Sequence, residues 1–195
     1  MIKGRSVNLR KITMADLPKV FEWCEDKELM KYYDELPVYA PFEMEHILRQ
    51  NISAVDRIDY IIETKEKKPI GRIFLSMINW DDRHLELHTM VGEINKRNIF
   101  FGAEAAFLML LYTFHQIGMH KVYGRVIEYA KEAEALLKEI GFTKEAVLKK
   151  RYFQGGRYWD AFLYGLLDRE FEDLLKSSKG QKYLGIAQGR YKLSV

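Results

Sequence analysis

The chain has 195 residues, of which 48% are hydrophobic, and its 31 basic and 28 acidic residues leave a formal charge of +3. This length and apolar content favour one domain with a substantial core, and the even mixture of charges argues against a nucleic-acid binder. The lone Cys24 excludes an internal disulfide and a multi-cysteine metal site, which fits a reducing compartment. The N-terminus leads into an alternating strand instead of a signal sequence, and no apolar run reaches ~18 residues. We therefore expect a cytoplasmic protein without a membrane span.

The first half of the chain mixes short helices with strands. Thr13 to Asp16 has the spacing of a helix cap and predicts a helix after the first strand. Pro37 and Pro41 interrupt the segment 34–41, which predicts a loop. The predicted elements are a strand over 6–12, a helix from Thr13, helices over 27–33 and 42–54, and strands over 59–64, 70–78 and 83–92.

The second half begins with a helix over 102–117 that is apolar on nearly every side, which predicts a central, buried position. It continues with a strand over 121–127, a helix over 131–140, and strands over 142–153 and 157–167 joined at Gln154-Gly155-Gly156. A charged amphipathic helix is predicted over 168–177. The tail, 179–195, is expected to be ordered only by docking on the rest of the chain.

The stretch from Val91 to Ala103 has the order of a phosphate-binding site. A strand ends at Val91-Gly92, a loop with Arg97 and Gly102 follows, and a long helix begins. The first amides of a helix have no partner within the helix, and the helix dipole places its positive end there. The alternative is an ordinary strand-to-helix loop closed by Phe100 and Phe101.

Several short motifs carry a resemblance to a known family. They are Ser6 to Arg10, Pro69-Ile70-Gly71, the loop from Arg97, Gly118 to Val122, Ile140-Gly141-Phe142, and Gly156 to Asp160. In this order and spacing the chain resembles the GNAT superfamily of acyl-CoA-dependent N-acyltransferases, closest to its RimJ/RimL-like and spermidine acetyltransferase branch. The resemblance implies a single α/β domain over 1–167, followed by a C-terminal helix and tail over 168–195. It implies a mixed central sheet of about six or seven strands, flanked by helices and splayed between two parallel strands.

The resemblance also implies acetyl-CoA as cosubstrate and no metal. The pantetheine is expected to lie along the backbone near Met90 and Val91. The pyrophosphate is expected on the loop residues Arg97, Asn98, Phe100, Phe101, Gly102 and Ala103. The chain departs from the family pattern at Phe100, where a glycine is usual, at Ala130, where asparagine is usual, and at Leu137. The usual tyrosine at that last position is often proposed to protonate the departing CoA sulfur.

Glu86 is the candidate catalytic residue. Strand alternation places His84, Glu86 and His88 on one face, and a positioned base helps an ammonium to lose its proton before attack on a thioester. The alternative is a solvated or paired strand face. A metal site from these three residues is disfavoured, because neighbours on one strand face stand too far apart to share one ion. Tyr33, Glu35, Tyr39 and His88 are the candidate acceptor-binding residues, since carboxylates and ring faces suit a cationic amine.

The function implied by the resemblance is transfer of an acetyl group from acetyl-CoA to a primary amine by direct attack. A polyamine, a protein N-terminus and an amino sugar all remain open as acceptors. The alternative is a degenerate acyl-CoA-binding or interaction module without turnover. No nucleic acid or membrane is expected as a partner, and a homo-oligomer is compatible with the sequence.

Overall fold

In the computed structural model, one mixed sheet of eight strands runs through the molecule. The structure describes residues 1–33, 43, 46–47, 49–51, 54–93 and 99–185. The strands are β1 (Ile2–Lys3), β2 (Val7–Lys11), β3 (Ile58–Thr64), β4 (Pro69–Asn79), β5 (His84–Val91), β6 (Lys121–Ile127), β7 (Thr143–Gln154) and β8 (Arg157–Leu167). Their order is β1-β2-β3-β4-β5-β6-β8-β7, and β5–β6 is the parallel pair. The α/β class and mixed sheet are confirmed, and the count exceeds the expected six or seven strands.

The helices lie on both faces of this sheet. They are α1 (Leu17–Glu25), α2 (Lys27–Met30), α3 (Ile99–His115), α4 (Lys131–Glu139), α5 (Asp168–Lys176) and α6 (Ser178–Leu184). A 3₁₀ turn, Met14–Asp16, precedes α1, and the Asp16 carboxylate accepts from the N–H and the hydroxyl of Thr13, both at 2.8 Å. Residues 43, 46–47 and 49–51 are helical. The predicted loop over 34–41 lies outside the described residues.

Helix α3 is the centre of the main core. Residues Ala105 to Leu111 are buried on every side of this helix, against strand residues such as Leu85, Leu87 and Val122. A second, smaller core lies on the other face of the sheet, where α1 contributes Val20 and Trp23. The unusual all-round hydrophobicity of α3 therefore has the structural cause that the sequence predicted.

The C-terminal helices continue the main core. Phe171 and Leu175 of α5 are fully buried in it, and Tyr183 of α6 stacks on Phe107 of α3 with ring centroids 4.9 Å apart. The sequence predicted α5 and missed α6. Because α5 and α6 pack on α3, the described part of the extension belongs to the same folded unit. The domain boundary at residue 167 stays a prediction. No helix in the described ranges is long and apolar enough to cross a membrane.

Candidate active site

The parallel strands β5 and β6 diverge about half-way along their length. They pair at three positions, His84 with Lys121, Leu85 with Val122, and Glu86 with Tyr123. Beyond Glu86, within the part of the chain that the structure describes, β5 is paired with β4 and not with β6. The sheet is therefore split by a gap between the second half of β5 and the second half of β6.

One edge of this gap is built from main-chain polar groups of β5. The Gly92 N–H donates to the Ile70 carbonyl at 2.9 Å, so the antiparallel register directs the polar groups of Met90 and His88 toward β4. The main-chain N–H and C=O groups of successive residues in a strand point to opposite edges, so the groups of Thr89 and Val91 and the carbonyl of Leu87 point toward β6. We call these groups of Leu87, Thr89 and Val91 the gap edge. Val91, predicted to bind the cofactor, lies on the gap edge, whereas the Met90 main chain faces β4 and its side chain is buried on the α1 side.

A pocket occupies the gap. Its lining includes Tyr33, Glu86, His88, Gly124, Arg125 and Leu137. Three of the predicted site residues therefore meet in one place, although Tyr33 is distant in sequence from Glu86 and His88. Arg125 and the gap-edge residue Thr89 were not identified from the sequence. The position of Arg125 follows only from the β5–β6 register, which pairs Glu86 with Tyr123. Arg125 is two residues further along β6, so its side chain lies on the same face as that of Tyr123 and beside the Glu86 carboxylate.

The exit of β5 is held firmly against α1. A side chain at Gly92 has no room, because its Cβ would lie 2.3 Å from the ring of Trp23. Glu93 pairs with Lys19 of α1 at 2.5 Å. These contacts fix the point from which the chain leaves the sheet toward α3.

Helix α3 begins at Ile99, earlier than the sequence predicted. Phe100, Phe101 and Gly102 therefore lie in its first turn, at the positive end of the helix dipole. Because the helix starts at Ile99, the N–H groups of Gly102 and Ala103 are the first that bond back along it. The nearest atoms to a Cβ placed on Gly102 are Leu136 Cδ2 at 3.7 Å and Val91 Cγ2 at 3.9 Å, so this turn packs at the end of the gap edge. The predicted binding residues Arg97 and Asn98 lie outside the described residues.

Glu86 is bound by Arg125. The Arg125 Nε donates to Glu86 Oε1 at 2.7 Å and its Nη2 donates to Oε2 at 3.1 Å. The Glu86 side chain is 1% exposed and that of Arg125 is 24% exposed. The paired strand face that the sequence left open as an alternative is therefore present, and the catalytic role of Glu86 stays a prediction.

His88 is held as a neutral ring. Burial, followed by the nearby positive charges of Arg57, Arg125 and Arg72, lowers its pKa to about 3. Its Nε2 lies 2.9 Å from Ser76 Oγ and 3.7 Å from Glu86 Oε2. A neutral imidazole adds no charge to the pocket at physiological pH.

Two tyrosine hydroxyls attach the end of α2 across the gap. Tyr33 donates to the Thr89 carbonyl at 3.0 Å, and Tyr129, in the turn after β6, donates to the Lys31 carbonyl. We call Lys31 to Tyr33 the bridging segment. Burial raises the pKa of Tyr129. Tyr164 of β8 donates to Glu134 at 2.7 Å.

The predicted acceptor-binding residues are only partly described. Tyr33 and His88 line the pocket, while Glu35 and Tyr39 lie outside the described residues. Within the described ranges, no group of three or more His, Cys, Asp or Glu residues is arranged to hold a metal ion.

Comparison with known families identifies the fold. The profile of the acetyltransferase (GNAT) domain matches residues 6–143. The chain belongs to the GNAT acetyltransferase family. It is an acetyl-CoA-dependent N-acetyltransferase, as the resemblance of its motifs implied.

Individual relatives extend the match over most of the chain. The spermidine N(1)-acetyltransferase of Vibrio cholerae is 26% identical over 154 residues, which cover 79% of this chain and 88% of the relative. That of Escherichia coli K12 is 24% identical over 172 residues, covering 88% and 91%. The crystal structure of spermidine N-acetyltransferase from Vibrio cholerae in complex with CoA and spermine has a TM-score of 0.81 at 24% identity. It covers 86% of this chain and 98% of its own.

Proposed function

We propose that acetyl-CoA binds with its pantetheine in the gap between β5 and β6. The observation that carries this proposal is the gap edge, whose Thr89 and Val91 main-chain groups are turned toward β6 where no β6 pairing continues. An extended chain with amide groups fits such an edge as an added strand does. The diphosphate then lies at the first turn of α3, where the positive end of the helix dipole favours negative charge.

The amine nitrogen attacks the thioester carbonyl directly. The new C–N bond first gives a tetrahedral intermediate whose former carbonyl oxygen is an oxyanion. As this intermediate collapses the C–S bond breaks, and the departing sulfur takes up the proton that the nitrogen loses. The Thr89 N–H on the gap edge is placed to stabilise the oxyanion of the intermediate. Glu86 is the proposed acceptor-side carboxylate, and Arg125 fixes the orientation of both its oxygens.

A polyamine is the acceptor that we propose first. Two relatives named spermidine N(1)-acetyltransferase support it. The pocket contributes a buried carboxylate at Glu86 and the ring of Tyr33, and both suit an ammonium group.

Arg125 favours a second candidate, an amine with only one positive charge. In the described lining, the charge of Arg125 offsets that of Glu86, and His88 is neutral. A second ammonium group close to the reacting amine therefore gains little electrostatic attraction from this pocket. A protein N-terminus or an amino sugar fits this condition.

A free-thiol release assay distinguishes these acceptors. Purified protein and acetyl-CoA are incubated with spermidine, a primary alkyl monoamine, a peptide with a free N-terminus, and a nucleotide-linked amino sugar. The polyamine proposal predicts the highest kcat/KM for spermidine. A higher kcat/KM for a singly charged amine would contradict the polyamine proposal and support the second candidate. The cytoplasmic location, the absence of nucleic-acid and membrane partners, and a homo-oligomeric state stay predictions.

A further inference from the structure

The Thr89 carbonyl on the gap edge already has a hydrogen-bond donor. Tyr33 Oη lies 3.0 Å from it, and the Tyr33 side chain lines the same pocket as Glu86 and Leu137. Thr89 turns toward β6, so a paired strand in the gap would donate an N–H to this carbonyl. The tyrosine hydroxyl thus donates to the same carbonyl oxygen that an added strand would use.

The bridging segment holds Tyr33 in this position. At its other end Tyr129 donates to the Lys31 carbonyl, and the Tyr129 ring packs on Trp159 of β8 with centroids 4.8 Å apart. Tyr32 packs on Tyr129 at 5.8 Å. Residues directly after α2, from the turn after β6 and from β8 therefore keep the phenol directed at β5.

We propose that Tyr33 is a placeholder for the acyl donor, an inference that rests on the proposed binding of acetyl-CoA along the gap edge. An amide N–H of the pantetheine replaces the Tyr33 hydroxyl on the Thr89 carbonyl. Donor binding therefore requires the Tyr33–Thr89 hydrogen bond to break. It also frees the phenol at the end of the bridging segment that lies beside the acceptor-side residues His88 and Glu86.

This exchange predicts that removal of the Tyr33 hydroxyl strengthens the binding of acetyl-CoA. In Tyr33→Phe the free protein has no Tyr33–Thr89 hydrogen bond to break, and the half-buried Thr89 has no phenol as donor to its carbonyl before acetyl-CoA binds. The variant should bind acetyl-CoA more tightly by about two- to tenfold, the range expected for one net hydrogen bond. Its melting temperature without ligand should fall, and its gain on adding acetyl-CoA should exceed that of the wild type. A residue with a purely structural role would not tighten the binding of the ligand.

Isothermal titration calorimetry with acetyl-CoA measures this effect in wild type, Tyr33→Phe and Tyr32→Phe. Tyr32 is the matched control, because it is the next residue, lines the same pocket and is partly exposed. Its variant should bind acetyl-CoA as wild type does. A second probe, ADP, has a diphosphate but no amide chain, so its affinity should be equal in wild type and Tyr33→Phe.

Each outcome decides between the two proposals. Wild type that binds acetyl-CoA, with Tyr33→Phe equal or weaker, overturns the placeholder role and leaves the proposed function standing. Wild type that does not bind acetyl-CoA overturns both. If Tyr33→Phe does not fold, a crystal structure of wild type with CoA decides. Tyr33 Oη must then lie beyond hydrogen-bonding distance of the Thr89 oxygen, and an intact Tyr33–Thr89 bond beside bound pantetheine overturns the inference.

Discussion

Removing Arg125 from the Glu86–Arg125 ion pair should destabilise the protein much more than removing the charge of Glu86. Arg125→Met leaves a carboxylate that is 1% exposed without its two guanidinium donors. Glu86→Gln instead leaves a guanidinium whose side chain is 24% exposed, and the new amide oxygen can still accept from it. Water can therefore solvate the unpaired partner in the second variant and barely in the first.

The magnitudes follow from this difference in burial. Leaving a buried ion without its partner costs about 3–5 kcal/mol in the free energy of unfolding. Exchanging the carboxylate for an amide weakens a charged hydrogen bond, which costs about 1–3 kcal/mol. In a domain of this size about 1 kcal/mol corresponds to about 2–4 °C in melting temperature. Arg125→Met should thus lower the melting temperature by about 6–20 °C and Glu86→Gln by about 2–12 °C.

Urea unfolding of both single variants and of the double variant gives the coupling free energy. The double variant should be more stable than Arg125→Met alone, because no unpaired buried charge remains. The reasoning is refuted if Glu86→Gln is the more damaging single change, or if the effects of the two single changes simply add.

Four further outcomes follow from the site. Gly102→Asp should abolish the rise in melting temperature caused by acetyl-CoA, whereas Gly102→Ala should keep it, because its Cβ meets no atom closer than 3.7 Å; equal shifts would place the diphosphate elsewhere. Glu86→Gln should lower turnover at neutral pH by ~10²–10⁴ with little change in acetyl-CoA affinity, and recover at high pH, where free amine is abundant; full activity at pH 7 would make Glu86 structural. His88 stays neutral in the folded state down to about pH 3, while the unfolded residue takes up a proton below about 6.5. The contribution of neutral His88 to the free energy of unfolding is therefore fully present above about pH 6.5 and is lost as the pH falls toward 3. In urea unfolding, the free energy of unfolding of His88→Gln should fall less than that of wild type between these two pH values. The pH–rate profile of wild type should rise and then stay flat, with no falling limb from a tyrosine near ~10, and Leu137→Tyr should change the rate only modestly; a falling limb in wild type would indicate another acid.

Much of the fold was readable from periodicity because its elements are locally determined. The strand over 121–127 and the strand over 157–167 have the predicted bounds, and α4 differs by one residue. The start of α3 was predicted too late, since Gly102 resembled a loop residue although it fits inside the first turn against Val91 and Leu136. Strand β1 has only two residues, too few for a periodic pattern.

The candidate site was readable only in part, because its contacts are long-range. Alternation placed Glu86 and His88 on one face without the structure. The Arg125 partner depends on the parallel register of β5 and β6, and a single sequence does not contain that register. Tyr33 was identified from its aromatic character. Its hydrogen bond to Thr89, 56 residues away, depends on how α2 crosses the sheet.

The acetyl donor should lie in the gap between β5 and β6. A crystal structure of the protein with CoA is the decisive test. Pantetheine amides should be paired with the main chain of Thr89 and Val91, and the diphosphate should lie at the first turn of α3. CoA bound on another face of the sheet, with the gap empty, would contradict this placement.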